Sequence, residues 1–169
     1  MNPKLPYQDF TIKAKVVRAD KIEETLLEIN GTFIGVDHQK DIYFKVAKGK
    51  LKWRQGTIEN LITHYERIEA QGLEKTIVYR YDLNPTLEEI SKLYKDFTEI
   101  GSIEKERKIF YLGNIKIHLD KMNDNQTFIE IEVIDKEGTQ SVDELRLQCL
   151  EMKEKLGIKD EMPIRTGYF

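Results

Sequence analysis

The stretch FIEIEV, residues 128–133, alternates apolar and acidic side chains. Successive side chains of a β-strand point to opposite faces. Glu130 and Glu132 therefore share one face, and Ile129, Ile131 and Val133 share the other. Two carboxylates side by side repel and raise each other's pKa. A fold that keeps them must supply water, basic side chains or a metal ion.

Other runs repeat the alternation with basic residues. Along 9–16, Asp9, Thr11, Lys13 and Lys15 oppose Phe10, Ile12, Ala14 and Val16. In LKWR, Lys52 and Arg54 oppose Leu51 and Trp53, which puts Trp53 on the core side. In IKIHLD, Lys116, His118 and Asp120 oppose Ile115, Ile117 and Leu119. Lys105 and Arg107 oppose Glu104, Glu106 and Lys108, so neither face is cleanly apolar there. The pattern predicts strands at roughly 9–17, 32–36, 40–46, 50–55, 60–68, 74–81, 103–111, 114–121 and 127–135. Turns such as KGK, LGN and NDN imply mainly antiparallel pairing.

Three segments read as helices. Asp20 is placed to cap a helix carrying Ile22, Leu26, Leu27 and Ile29, stopped by Gly31. Thr86 with Glu89 is a capping box opening a helix through Leu87, Ile90, Leu93, Tyr94, Phe97 and Ile100, ended by Gly101. Ser141 with Glu144 is a second, ahead of Val142, Leu145, Cys149, Met152 and Leu156, with Gly157 ending the helix.

If the helices cover the apolar side of the sheet, the polar side curls inward and lines a barrel or cleft. The alternative is an ordinary sheet with one solvated face. The inward set by parity is Lys13, Lys15, Lys52, Arg54, Arg67, Lys105, Arg107 and Lys116, against Asp9, Asp120, Glu130 and Glu132. That is eight positive and four negative charges, in a chain whose net charge is −3. Burying this much charge is prohibitive without water or a compensating ligand. A polyphosphate with a divalent cation compensates both halves: Lys and Arg take phosphate oxygens, Asp and Glu the metal.

The 169 residues suffice for one domain spanning 1–169, and the 40% hydrophobic and 34% charged composition reads as a soluble globular protein. A single cysteine, Cys149, excludes an intramolecular disulfide framework and a cysteine-based zinc cluster, and its helical spacing reads as core. The negative net charge argues against nucleic-acid binding. No apolar run approaches the roughly 20 residues of a membrane span. The opening MNPKLPYQDF lacks a signal-peptide apolar core, so a cytoplasmic location is expected.

The ordered strings resemble one family. QKDIYF (39–44), LKWR (51–54), YER (65–67), IEKER (103–107), KIHLDKM (116–122), FIEIEV (128–133) and LGI (156–158) followed by TGY (166–168) are similar, in order, to motifs of the CYTH superfamily. This superfamily joins class IV adenylate cyclases, thiamine triphosphatases and inorganic triphosphatases. KIHLDKM is nearest the class IV cyclase branch. The resemblance implies an α+β fold, an antiparallel β-barrel forming a triphosphate tunnel with helices packed outside. It implies Lys52, Arg54, Arg67, Lys105, Arg107 and Lys116 as phosphate binders, and Asp120, Glu130 and Glu132 as ligands of Mg²⁺ or Mn²⁺. It makes Lys13 the candidate catalytic group. Lys116 stands where the family more often has Arg, and it lacks the bidentate fork. Lys75 is a weaker match to another family lysine. ATP, tripolyphosphate and thiamine triphosphate are the implied ligands, and the family suggests a homodimer.

One motif departs. The first-strand signature E-x-E-x-K is DFTIK here: Asp9, Thr11 and Lys13. A neutral Thr hydroxyl is a far weaker Mg²⁺ ligand than a carboxylate. One metal position is expected to be weakened, which leaves open a cyclase, a triphosphatase or a noncatalytic triphosphate-binding protein.

Overall fold

The computed structural model describes residues 4–70 and 73–158. The closing TGY motif lies outside the described residues. Eight strands form a closed barrel: β1 (Tyr7–Val16), β2 (Thr32–Phe44), β3 (Lys50–Gly56), β4 (Asn60–Ala70), β5 (Leu73–Leu83), β6 (Glu99–Leu112), β7 (Ile115–Met122) and β8 (Thr127–Asp135). Their order around the barrel is β1-β5-β4-β3-β2-β6-β7-β8, with β8 returning to β1. Every pairing is antiparallel. Closure leaves no sheet edge and buries both faces of most strands.

The predicted runs 32–36 and 40–46 are one strand. Gly35, at φ 151°, takes up a register shift against β6, so pairing continues through the irregularity. Between β2 and β3, Gly49 adopts φ 72°, and a Cβ there would lie 2.3 Å from the Tyr65 carbonyl oxygen. Only glycine satisfies both demands.

Three helices cover the outside: α1 (Ala19–Glu28), α2 (Leu87–Asp96) and α3 (Val142–Lys155). Leu26 of α1 and Leu145, Cys149 and Met152 of α3 bury against Phe10, Ile12, Ile117, Ile129 and Ile131. Leu93 of α2 packs on Ile42, Phe44, Leu51 and Ile62, with Trp53 partly buried beside them. Cys149 is a core residue, as its spacing predicts.

Two helix expectations are corrected. Asp20 does not cap α1; Arg18 stands at that position, and its side chain forks onto Asp20 at 2.8 and 3.0 Å. Helix α2 ends at Asp96, and Ile100 and Gly101 begin β6 instead, because the Glu99–Gly101 backbone is claimed by Phe44 and Tyr43 of β2. Both capping residues, Thr86 and Ser141, accept from the backbone N–H three residues on, at 3.1 Å.

Candidate active site in the barrel

The inward faces of the strands line one cavity. Strand β1 contributes Asp9, Thr11 and Lys13; β3 contributes Lys52 and Arg54; β4 contributes Arg67; β6 contributes Lys105 and Arg107; β7 contributes Lys116 and His118; β8 contributes Glu130 and Glu132. All the expected phosphate-binding cations, Lys13 and two of the three expected metal ligands thus meet in one place. Lys15 does not join them. It is exposed, near the end of β1. Lys75 shares a face with neither Glu74 nor Thr76 and is absent from the lining.

The cations are held by acids in the wall. Asp41, fully buried on β2, accepts both prongs of Arg54 at 2.8 Å, Lys105 at 2.7 Å and Lys52 at 3.4 Å. Burial works against its ionisation, and these three cations outweigh it, holding the carboxyl well below the usual range. Burial also drives the two lysines down, to about 7 each. Arg67 reaches Glu74 and Glu130, both at 3.3 Å. The rings of Tyr43 and Tyr65 line the same stretch, with Lys52 Nζ at 5.9 and 5.3 Å from their centroids.

Asp120 sits where Arg107 claims both of its oxygens, through Nε and Nη2 at 2.7 Å each. It is fully buried behind the guanidinium. Among the described residues, the side chains whose ligand atoms converge are His118, Glu130 and Glu132, all within 4.8 Å of one another. Both His118 ring nitrogens are buried without a hydrogen bond, Nδ1 lying 3.8 Å from Glu130 Oε2. Burial, then Arg107 and Lys116, lowers His118 to about 4, which leaves a neutral imidazole. Burial opposes the Glu130 charge, and the Arg67 guanidinium beside it outweighs that burial, holding the carboxyl well below the usual range. Two ionised carboxylates and an orphaned neutral imidazole fit a divalent cation such as Mn²⁺ or Mg²⁺.

The divergent first strand stands against this cluster. Thr11 is opposite Glu132 and Lys13 opposite Glu130 in the β1–β8 register. Thr11 Oγ1 donates to Asp9 Oδ1 at 3.1 Å. Burial and the neighbouring Glu132 charge push Asp9 well above the usual carboxylate range, while a hydrogen bond from Asp9 keeps Glu132 ionised against burial. Lys13 is lowered by burial to about 6.

Three acids carry no signal in the strand pattern. Asp41 was legible only as part of QKDIYF, not as the anchor of three cations. Asp37 accepts from the Ile58 and Glu59 amides at 2.8 and 3.0 Å and from Thr57 Oγ1 at 3.0 Å. This fastens the turn after β3 and aims Glu59 into the barrel, where it accepts from Lys116 and, at 3.5 Å, from Arg54. A Cβ at Gly56 would lie 2.7 Å from both Asp37 carboxylate oxygens, so glycine there is part of the arrangement.

The CYTH domain model matches residues 10–168. This chain belongs to the CYTH family. A search of curated proteins finds no match. Among solved structures, the CYTH chain is similar to the PH1012 protein of Pyrococcus horikoshii OT3, at 22% identity over 95% of this chain and 96% of that one, with a TM-score of 0.78. It is also similar to a Vibrio parahaemolyticus protein described as a candidate adenylate cyclase, at 15% identity over 95% and 94%, TM-score 0.75. A third is the Hippeastrum protein HpAC1, described with a dominant triphosphatase activity, at 12% identity over 96% and 92%, TM-score 0.62. These likenesses establish the shared barrel fold. No helix among the described residues is long and apolar enough to cross a membrane.

Proposed function

We propose that this CYTH protein is a metal-dependent enzyme that cleaves a triphosphate inside its barrel, with class IV adenylate cyclase chemistry, ATP to cyclic AMP and pyrophosphate, as the first reading. The observation that carries it is the convergence of cations and carboxylates on one cavity, with most of the cations on β3, β4 and β6. Lys52, Arg54, Arg67, Lys105 and Arg107 occupy the arc made by β3, β4 and β6. Asp9, Glu130 and Glu132, with Lys13 among them, line β1 and β8. A polyphosphate chain fits the arc of cations, and a divalent cation the carboxylates.

Glu130 and Glu132, with His118 beside them, would hold Mg²⁺ or Mn²⁺, which supplies charge neutralisation at the phosphate oxygens when bound. Arg54, Lys52 and Lys105 are pre-set by Asp41, so little reorganisation accompanies phosphate binding. In the cyclase reading the ribose 3′-oxygen bonds to the α-phosphorus. The bond from that phosphorus to the α,β-bridging oxygen breaks, and pyrophosphate leaves with its charge against the Arg and Lys set. Lys13, mainly neutral at neutral pH, takes the 3′-hydroxyl proton.

Hydrolysis is the second reading, favoured by the same neutral amine opposite Glu130, which suits a water nucleophile as well. Tripolyphosphate or thiamine triphosphate would then be the substrate, and orthophosphate a product. The deciding experiment is ³¹P NMR of the protein with Mg²⁺ or Mn²⁺ and each of ATP, tripolyphosphate and thiamine triphosphate. Pyrophosphate from ATP without orthophosphate supports the cyclase. Orthophosphate supports the hydrolase, and the tube names the substrate. Unchanged spectra in every tube overturn the enzyme reading and leave a triphosphate-binding protein disabled at Thr11.

A further inference from the structure

Asp41 and Asp120 stand behind the cations they neutralise, fully buried in the wall and outside the cavity lining. Glu59 is placed differently. It comes from the turn between β3 and β4, and it is part of the lining itself. Lys116 donates to its Oε2, while Arg54 Nη1 and Gln39 Nε2 donate to its Oε1 at 3.5 and 3.2 Å. Burial works against the Glu59 charge, and Lys116 and then Arg54 outweigh it, holding the carboxyl well below the usual range. Asp37 fixes the backbone beneath it by accepting from the Ile58 and Glu59 amides. The carboxylate is therefore charged and tied at both ends.

Its position along the barrel gives that charge a consequence. Strand β3 ends and β4 begins at the rim where β1 and β7 also begin and β5, β6 and β8 end. The opposite end of the cavity is occupied by side chains. Tyr43 is next to last in β2, Lys52 lies near the start of β3, and Arg67 is late in β4. Arg67 spans Glu74 and Glu130 there, at 3.3 Å each, and Tyr43 and Tyr65 are buried beside Lys52. A phosphate chain seated on Lys52, Arg67, Lys105 and Arg107 thus meets Glu59 as it runs toward the first rim.

Beyond Glu59 the lining offers a phosphate little. Tyr7, Tyr81 and Tyr111 share that rim, with Leu61 among them. Lys116 is engaged by Glu59 itself. Lys136 Nζ lies 5.4 Å from the Tyr81 centroid, but the residue is exposed, so water and salt screen its charge. The Glu59 charge, mostly buried, is screened far less, and its repulsion of a further phosphate outweighs the attraction of Lys136.

We infer that Glu59, held by Lys116 and Arg54, closes the phosphate track at the β3–β4 turn and selects a triphosphate over longer linear polyphosphates. The inference rests on the triphosphate reading above. It makes Glu59 a specificity residue and Lys116 its positioning partner.

Calorimetric titration of the full chain with inorganic tripolyphosphate and linear tetrapolyphosphate tests it, with Ca²⁺ in place of Mg²⁺ to slow turnover. The native protein should bind tripolyphosphate about tenfold or more tightly, despite its lower charge, the scale of one like-charge contact in a partly desolvated site. Glu59→Gln keeps the size and an acceptor oxygen and removes the charge. It should tighten tetrapolyphosphate by about tenfold and tripolyphosphate by less, so that the preference collapses. Lys116→Gln leaves Glu59 less compensated and should widen the preference, and this variant decides the matter if Glu59→Gln does not fold. A native protein without preference overturns the closure and spares the triphosphate reading. Both ligands shifting equally in Glu59→Gln, or a preference left unchanged or narrowed in Lys116→Gln, shows a structural or general electrostatic role and also overturns it. Failure of both ligands to bind the native protein overturns the triphosphate reading and the closure with it.

Discussion

The two faces of β8 are both buried, and for opposite reasons. Ile129, Ile131 and Val133 face outward into the helix-covered core, each fully buried. Glu130 and Glu132 face inward among cations and acids. The outer face is stabilised by removing apolar surface from water, an interaction that tolerates any partner of the right volume. The inner face is tolerable only because each charge has a specific counterpart, so its geometry is far less forgiving. One face of a strand therefore holds the protein together while the other stores charge that a ligand can rebalance.

Removing a counter-charge from the inner face should cost most. Asp41→Ala strands Arg54, Lys52 and Lys105 in the wall, and should lower unfolding free energy by about 3–5 kcal/mol in a urea titration. A loss no larger than that of a surface substitution would break the contrast. On the outer face, Ile131→Ala should cost roughly 3 kcal/mol by the lost transfer energy and the cavity left behind. It should leave triphosphate affinity in the surviving folded protein untouched. Thr11→Glu sharpens the comparison from the ligand's side. A third carboxylate beside Glu132 should tighten Mn²⁺ binding by about tenfold or more, read by titration of the metal alone. Unchanged metal affinity would mean that the Asp9–Thr11–Lys13 strand plays no part in metal binding.

A smaller effect follows from the lysines at Asp41. Burial lowers Lys52 and Lys105 to about 7, so near pH 8 both are largely neutral in the unliganded barrel. A bound polyphosphate favours their charged forms and raises both pKa values, so binding takes up protons above about pH 7 and ceases to do so well below it. Titration at pH 8 in buffers of different ionisation enthalpy should report uptake approaching about two protons. The smallest effect belongs to the exterior: Thr86→Ala removes the cap of α2 and should cost about 1 kcal/mol, with the barrel chemistry unaffected.

Much of the inner face was legible because a strand's period of two transfers directly into a barrel. Lys52, Arg54, Lys105, Arg107, Glu130 and Glu132 could be assigned to one face by parity, and they line one cavity. Parity says nothing about how far along the strand the barrel extends, so Lys15 could not be separated from Lys13. Nor does it reveal depth. Asp120 shares a face with Lys116 and His118, yet both its oxygens are occupied by Arg107, whereas His118 converges with the two glutamates. Glu59 escaped because it precedes β4, in a turn whose shape is set by Asp37 from another strand.

By itself, the sequence determined the strand and helix periodicities, the caps at Thr86 and Ser141, the division of the strands into apolar and charged faces and the family. These follow from local rules of backbone geometry and from side-chain order along the chain. Only the tertiary structure decided which acid anchors which cation, that His118 joins the acidic cluster, and that three tyrosines far apart in the chain share one rim. Those relations depend on register and closure across strands distant in sequence, where a pairing shifted by two residues keeps every face and changes every neighbour.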